Sequence, residues 1–331
     1  MNTAHAGSLL HPLMQQYIAL QQALGRRYHT EQYVLAGLDR FLAHHTTPDL
    51  TAETFAAWCR TPSHLKPGVR RARLRMVRNF CLYRQRTAPQ CFIPDPQEFP
   101  TPHQPLHPHL FTETEIVRLL QAAARLKPVP HAPLRAAVVR LAIILLYTTG
   151  LRRGELLRLV IGDYDPRAQT LLIRASKFHK SRYLVLAADG ARELEQYLQA
   201  RRHYHLPVDA TIPLIGHGSA QGRAYTGGGL GTILRQLCHR AAVSTADGRC
   251  PRVHDFRHSF AVQVLLRWYR NGDDVQAKLP FLTTYMGHIS IASTAYYLPF
   301  IEALAGVASA RFAAQYATLV VPLSQPEEAN P

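Results

Sequence analysis

Four short stretches of this chain concentrate side chains that handle phosphate and protons. They are TTGLRRGELLRL at 148–159, SKFHKSRYLVL at 176–186, HDFRHSFAV at 254–262 and MGHISIASTAYYL at 286–298. Guanidinium groups hold the non-bridging oxygens of a phosphodiester in bidentate fashion. At about 4 Å and an effective dielectric near 20, each such charge pair is on the order of 4 kcal/mol before desolvation. A phenol attacks only once deprotonated, and ionising an ordinary tyrosine at pH 7 costs roughly 4 kcal/mol. Neighbouring cations lower that cost, and a histidine can take the proton. His254 and Arg257 stand three residues apart, so a helix places both on one face. Tyr296 and Tyr297 are adjacent, and neighbours on a helix point about 100° apart. Only one of them can face a bound phosphate, and the other is then expected to pack.

The bulk numbers fit a polyanionic partner. The chain has 331 residues, a formal net charge of +16 and a pI near 10.0. That length predicts two domains, and a basic balance of this size points to nucleic acid. The five cysteines, Cys59, Cys81, Cys91, Cys238 and Cys250, include no CxxC pair. That pattern excludes a disulfide framework or zinc ribbon and fits a reducing cytosol. The N-terminal residues lack a secretory pattern, and the most apolar run, LAIILLY, is too short to span a bilayer. The eighteen histidines form neither HExxH nor a Cys/His array. His254 and His258 have metal-ligand spacing but lack an evident third ligand, so no metal is expected.

The elements that must position these side chains divide at residues 93–108, where six prolines in sixteen residues exclude a helix or inner strand. This segment reads as an extended connector between residues 1–92 and 109–331. Before it, apolar residues recur at helical spacing through LMQQYIALQQAL and YVLAGLDRFLAHH, followed by a short helix at 51–58. A fourth helix runs through VRRARLRMVRNFCLYRQR, in a stretch (60–86) with nine Lys or Arg and no Asp or Glu. Like charges this close repel, and a phosphate backbone offsets the repulsion. Lys66, Arg70, Arg71, Arg73, Arg75 and Arg78 are therefore candidate DNA contacts.

After the connector, Thr112 and Glu115 have capping-box spacing. A buried helix at 135–149 stops at Gly150, and LRRGELLRLVIG starts another, with Asp163 capping a turn. TLLIRASKFHKSRYLVL reads as two short β runs flanking a basic turn. Further helices are expected at 188–202, 230–242 and 253–269. TGGGLG lacks the GxxxxGKS pattern and reads as a turn before a helix. The fold class is mainly α with a small β-sheet.

Taken together and in this order, the four stretches resemble the tyrosine recombinases, or phage integrase family. The resemblance covers the chain beyond the connector. It extends more weakly to the helical N-terminal part, which is similar to the family's core-DNA-binding (SAM-like) domain. It implies an α+β catalytic domain and places the family's catalytic residues at Arg152, Lys177, His254, Arg257, His288 and Tyr297. Lys180 and Arg182 become DNA contacts, and Glu155 and His258 supporting residues. Glu155 would buttress the arginine or a histidine, unless it is an ordinary helix carboxylate.

In the implied chemistry, Arg152 and Arg257 hold the phosphate without metal or other cofactor. His254 takes the phenol proton, Lys177 protonates the leaving 5′-oxygen and His288 hydrogen-bonds the phosphate. A 3′-phosphotyrosine ester stores the bond energy for rejoining. The implied partners are duplex DNA carrying inverted repeats, a homotetramer on two duplexes and other recombinase subunits. The implied setting is the cytoplasm, at the nucleoid. A mobile-element role is favoured. A type IB topoisomerase and a catalytically inactive DNA-binding relative remain alternatives. The sequence departs from the family at Leu298-Pro299, where the family often has Thr-His, and the proline ends the tyrosine helix early. The tail at 300–320 has an amphipathic pattern carried by Ile301, Leu304, Ala308 and Phe312. It docks on a neighbouring subunit, as in the family, or folds back on its own domain.

Overall fold

The structure is a computed structural model that describes residues 7–61, 63–101, 107–174, 181–217 and 222–298. The chain divides into two compact units, Met1–Leu106 and His107–Pro331. No helix among the described residues is long and apolar enough to cross a membrane.

Among its described residues the first unit holds four α-helices: α1 (His11–Ala23), α2 (His29–His44), α3 (Ala52–Arg60) and α4 (Pro67–Arg84). Thr51 starts α3 with a reciprocal cap, its hydroxyl accepting from Thr54 N–H while Thr54 Oγ1 accepts from Thr51 N–H. Helix α4 buries Leu74, Val77, Phe80 and Cys81 against Leu35, Leu38, Leu42 and Trp58. Its other faces carry the arginines. Residues 94–100, expected within an extended connector, instead lie along α4. Arg78 donates to the Pro94 carbonyl at 3.0 Å, Arg71 to the Pro100 carbonyl at 2.8 Å, and Phe99 enters the core. Prolines leave carbonyls without N–H partners of their own, and these two arginines supply the missing donors.

The second unit is built around α6 (Arg135–Thr149), which is buried on nearly every side and packs against α5 (Glu113–Ala124), α8 (Ala188–His203) and α10 (Val253–Arg270). Gly150, in the left-handed region at φ +62°, ends α6. The expected helix beyond it is a single turn, α7 (Arg153–Leu156). The chain then turns at Asp163, whose Oδ2 accepts from Val160 N–H at 3.0 Å, and enters the sheet. The sheet is antiparallel, ordered β1 (Tyr164–Asp165), β2 (Thr170–Ile173), β3 (Arg182–Val185), with Leu171 opposite Leu184. Helices α9 (Gly227–Arg240), α11 (Val275–Met286) and α12 (Ala292–Ala295) are the unit's other described helices.

The glycines of TGGGLG belong to α9 rather than to a turn before it. Thr226 caps the helix by accepting from Gly229 N–H at 3.0 Å. A Cβ at Gly227 would lie 3.1 Å from the Arg153 guanidinium, tighter than an ordinary contact, so any other residue here would require that side chain to shift by a few tenths of an ångström.

Candidate active site

The site forms where α11 ends. The last carbonyls of a helix lack intrahelical partners and carry the negative end of its dipole. Gly287, at φ +66°, closes α11, and His288 N–H reaches back to the Thr283 carbonyl at 2.9 Å. Three consecutive carbonyls are then taken by three arginines. Arg182 Nε donates to Tyr285 O at 2.8 Å, Arg257 Nη2 to Met286 O at 2.8 Å and Arg152 Nη2 to Gly287 O at 2.9 Å. Arg257 Nη1 also donates to Gly150 O at 2.6 Å.

Glu155 neutralises part of this charge. It accepts from Arg152 Nη1 at 2.9 Å, from the Arg152 backbone N–H at 3.0 Å, and from Arg182 Nη1 and Nη2 at 3.1 and 3.0 Å. Its burial, at 3% exposure, would raise its pKa. The hydrogen bonds and charges of Arg182 and Arg152 outweigh burial and hold it down at about 2. Burial and the nearby Arg152 charge lower Arg257 to about 10, so it stays cationic at neutral pH. A guanidinium has five N–H donors. Arg152 spends two on Glu155 and Gly287, and Arg257 two on Gly150 and Met286 besides its hydrogen bond to the Tyr297 phenol, which leaves capacity for an oxyanion beside a fixed frame.

The two tyrosines part company at the end of α12. Tyr297 is 3% exposed and Tyr296 44%. The inward one is therefore Tyr297, while Tyr296, expected to pack, is partly exposed with its ring edge-on to Tyr297 at 5.8 Å. The Tyr297 ring stacks near His288 (centroids 6.0 Å apart, 26°) and meets His258 edge-on at 5.3 Å. Burial raises the phenol pKa. The Arg257 charge and hydrogen bond pull it down but do not win, so the phenol stays protonated at rest. Burial, then the Arg257 charge, also lowers His254, and burial with the Arg257 and Arg152 charges lowers His288 to about 3. His258, one turn beyond His254, is lowered to about 4 by burial and by His254, and its buried Nδ1 has no hydrogen-bond partner among the described residues.

Of the six residues expected to do chemistry, Arg152, His254, Arg257, His288 and Tyr297 gather here. Lys177 and Lys180 lie outside the described residues, as do Pro299 and the tail at 300–320. Arg182, expected as a DNA contact, is instead a wall of the site with its guanidinium spent on Glu155 and Tyr285 O. In the first unit, Lys66 and Arg75 are exposed and Arg70 is half-buried. Arg71 and Arg78 hold carbonyls, and Arg73 lies over the Trp58 ring at 5.7 Å. Thr294 was missed by sequence reasoning. It is buried, and its hydroxyl bonds both His288 Nδ1 and Thr283 Oγ1 at 2.8 Å. The signal was present as a lone threonine three residues before Tyr297, on the same helical face.

The chain matches the phage integrase family over residues 109–300. An integrase/recombinase of Sinorhizobium fredii, y4rB, is 34% identical over 289 residues, or 86% of this chain and 91% of that one. The tyrosine recombinase XerC of Anoxybacillus flavithermus is 30% identical over 155 residues, 47% of either protein. Among solved structures, the Tn1549 transposon integrase in complex with transposon right end DNA is similar at a TM-score of 0.60 and 16% identity, over 91% of this chain and 98% of that one. The XerH site-specific recombinase bound to palindromic difH substrate is similar at 0.59 and 18% identity, over 88% and 79%. At such identities the likeness is one of fold.

Proposed function

Since the chain belongs to the phage integrase family, we propose that it is a site-specific recombinase that cleaves and rejoins duplex DNA through a 3′-phosphotyrosine at Tyr297. The observation that carries this reading is the seating of the Tyr297 phenol against the Arg257 guanidinium, within the arginine cluster that also holds Arg152. The spare N–H groups of Arg152 and Arg257 would grip the non-bridging oxygens, and losing one such donor commonly costs on the order of 10²–10³ in rate. Because the phenol is protonated at rest, its proton must leave as the oxygen attacks phosphorus. His254, kept neutral by burial and Arg257, can accept it. The P–O5′ bond breaks as the Tyr297–phosphorus bond forms, and Lys177 supplies the proton to the departing 5′-oxygen. The reverse attack by a 5′-hydroxyl rejoins the strand, so no external energy source enters.

The first unit, with Lys66 just before α4 and Arg70 and Arg75 on it, would act as the core-DNA-binding domain. A tetramer on two duplexes with inverted repeats, and a mobile-element role, follow from the same reading. To test it, a binding duplex is selected from a random-sequence pool and nicked within its site, so that cleavage is trapped. The wild type and Tyr296→Phe are expected to form a covalent complex. Tyr297→Phe is expected to bind the duplex and form none. An adduct from Tyr297→Phe refutes the assignment, and plasmid relaxation without recombinant product refutes the recombinase.

A further inference from the structure

Behind His288 three hydrogen bonds run in series. His288 Nδ1 meets Thr294 Oγ1 at 2.8 Å, Thr294 Oγ1 meets Thr283 Oγ1 at 2.8 Å, and Thr283 Oγ1 donates to the Leu279 carbonyl at 2.8 Å. A carbonyl only accepts. The Thr283 proton is therefore spent on Leu279 O, one turn back in α11. Thr283 Oγ1 can then only accept from Thr294, which spends the Thr294 proton in turn. Thr294 Oγ1 is left as the acceptor for an N–H on His288 Nδ1. Running the protons the other way would satisfy two contacts rather than three and set the Thr283 and Leu279 oxygens against each other. All three hydroxyl and carbonyl partners are buried, so water is a poor substitute there.

We propose that Thr283 and Thr294 are positioning residues whose hydroxyls form a one-way relay, fixing His288 with its proton on Nδ1 and a lone pair on Nε2. The tautomer of a neutral histidine is set by the bond its other nitrogen makes. His288 is neutral at pH 7 in the free protein, because it is partly buried and faces Arg257, Arg152, Arg182 and His254. Its second face carries the Tyr297 ring. His288 Nε2 thus meets an incoming phosphate as an acceptor, and it becomes a donor to a phosphate oxygen only after taking up a proton. That last step rests on the recombinase reading, whereas the tautomer does not.

The tautomer is read directly from the ring ¹⁵N shifts of histidine-labelled full-length protein without DNA, with His288 assigned by the signals lost in His288→Gln. The expected result is a protonated Nδ1 and a bare Nε2 in the wild type and in Thr294→Ser. In Thr294→Val, which keeps the shape and removes the hydroxyl, the signal is expected to shift to a mixture or to protonated Nε2. A protonated Nε2 in the wild type overturns the relay, as does an unchanged tautomer in Thr294→Val. On the nicked duplex, Thr294→Val is expected to form adduct at least about tenfold more slowly, the kinetic equivalent of one hydrogen bond, with the duplex dissociation constant unchanged and the rate restored by serine. An unchanged rate alongside a changed tautomer overturns the functional part. If the wild type forms no adduct on any selected duplex, the recombinase reading fails while the spectra still decide the relay.

Discussion

Arg182 clasps Glu155 through both terminal nitrogens, at 3.1 and 3.0 Å, and the same carboxylate carries Arg152. One buried anion therefore fixes two guanidiniums, and the carbonyls at the end of α11 fix them from the other side.

Replacing Glu155 by glutamine should show how much the site depends on that anion. Glu155 titrates near 2 in the fold against 4.5 when unperturbed. A depressed carboxylate contributes stability that is fully present above about pH 4.5 and is lost as pH falls towards 2. The shift corresponds to about 3 kcal/mol. Urea unfolding of the wild type should weaken across that window, with the margin over Glu155→Gln shrinking as pH drops. A margin that stays constant with pH would show that the charge is not what Glu155 contributes.

Gly287→Ala should cost more than left-handed strain alone. A Cβ at Gly287 would sit 2.8 Å from Arg182 Nη1, whereas one at Gly248, also left-handed at φ +74°, meets nothing within 4 Å. Each alanine is expected to lose about 1–2 kcal/mol to the backbone. Only Gly287→Ala should add a further loss from the displaced guanidinium, seen as a lower thermal midpoint. Equal losses at the two positions would mean that Arg182 yields freely.

The histidines make the unit acid-labile. His258 is held near 4 and His288 near 3, both below 6.5. The unfolded chain takes up these protons below about pH 6.5 and the folded chain does not until about pH 4. Stability should therefore fall as pH drops from 6.5 to 4. His258→Phe should flatten the fall by up to about 3 kcal/mol at pH 4, and unchanged acid sensitivity in that variant would contradict the burial argument.

Much of this was legible in the sequence where side-chain type and spacing carry the information. Most helices of both units and the capping box at Thr112 follow from periodicity and local chemistry, and the inward placement of Tyr297 rather than Tyr296 agrees with the family spacing. Other features depend on contacts distant in sequence. Arg182 looked like a DNA contact because a basic turn precedes it, but its partners, Glu155 and Tyr285, stand 27 and 103 residues away. The phenol was expected to be eased towards ionisation by nearby cations, and burial reverses the sign. Burial is not local information, and neither is the helix-end frame, because backbone carbonyls have no letter in a sequence.

That frame bears on how such a site tolerates change. The three guanidiniums are held at Tyr285 O, Met286 O and Gly287 O, atoms every amino acid supplies. Their separation is set by the main chain where α11 ends, so no exchange of side chain at 285 or 286 can delete an anchor. A change in the path of the main chain, such as an inserted or missing residue in α11, would throw the whole cluster out of register.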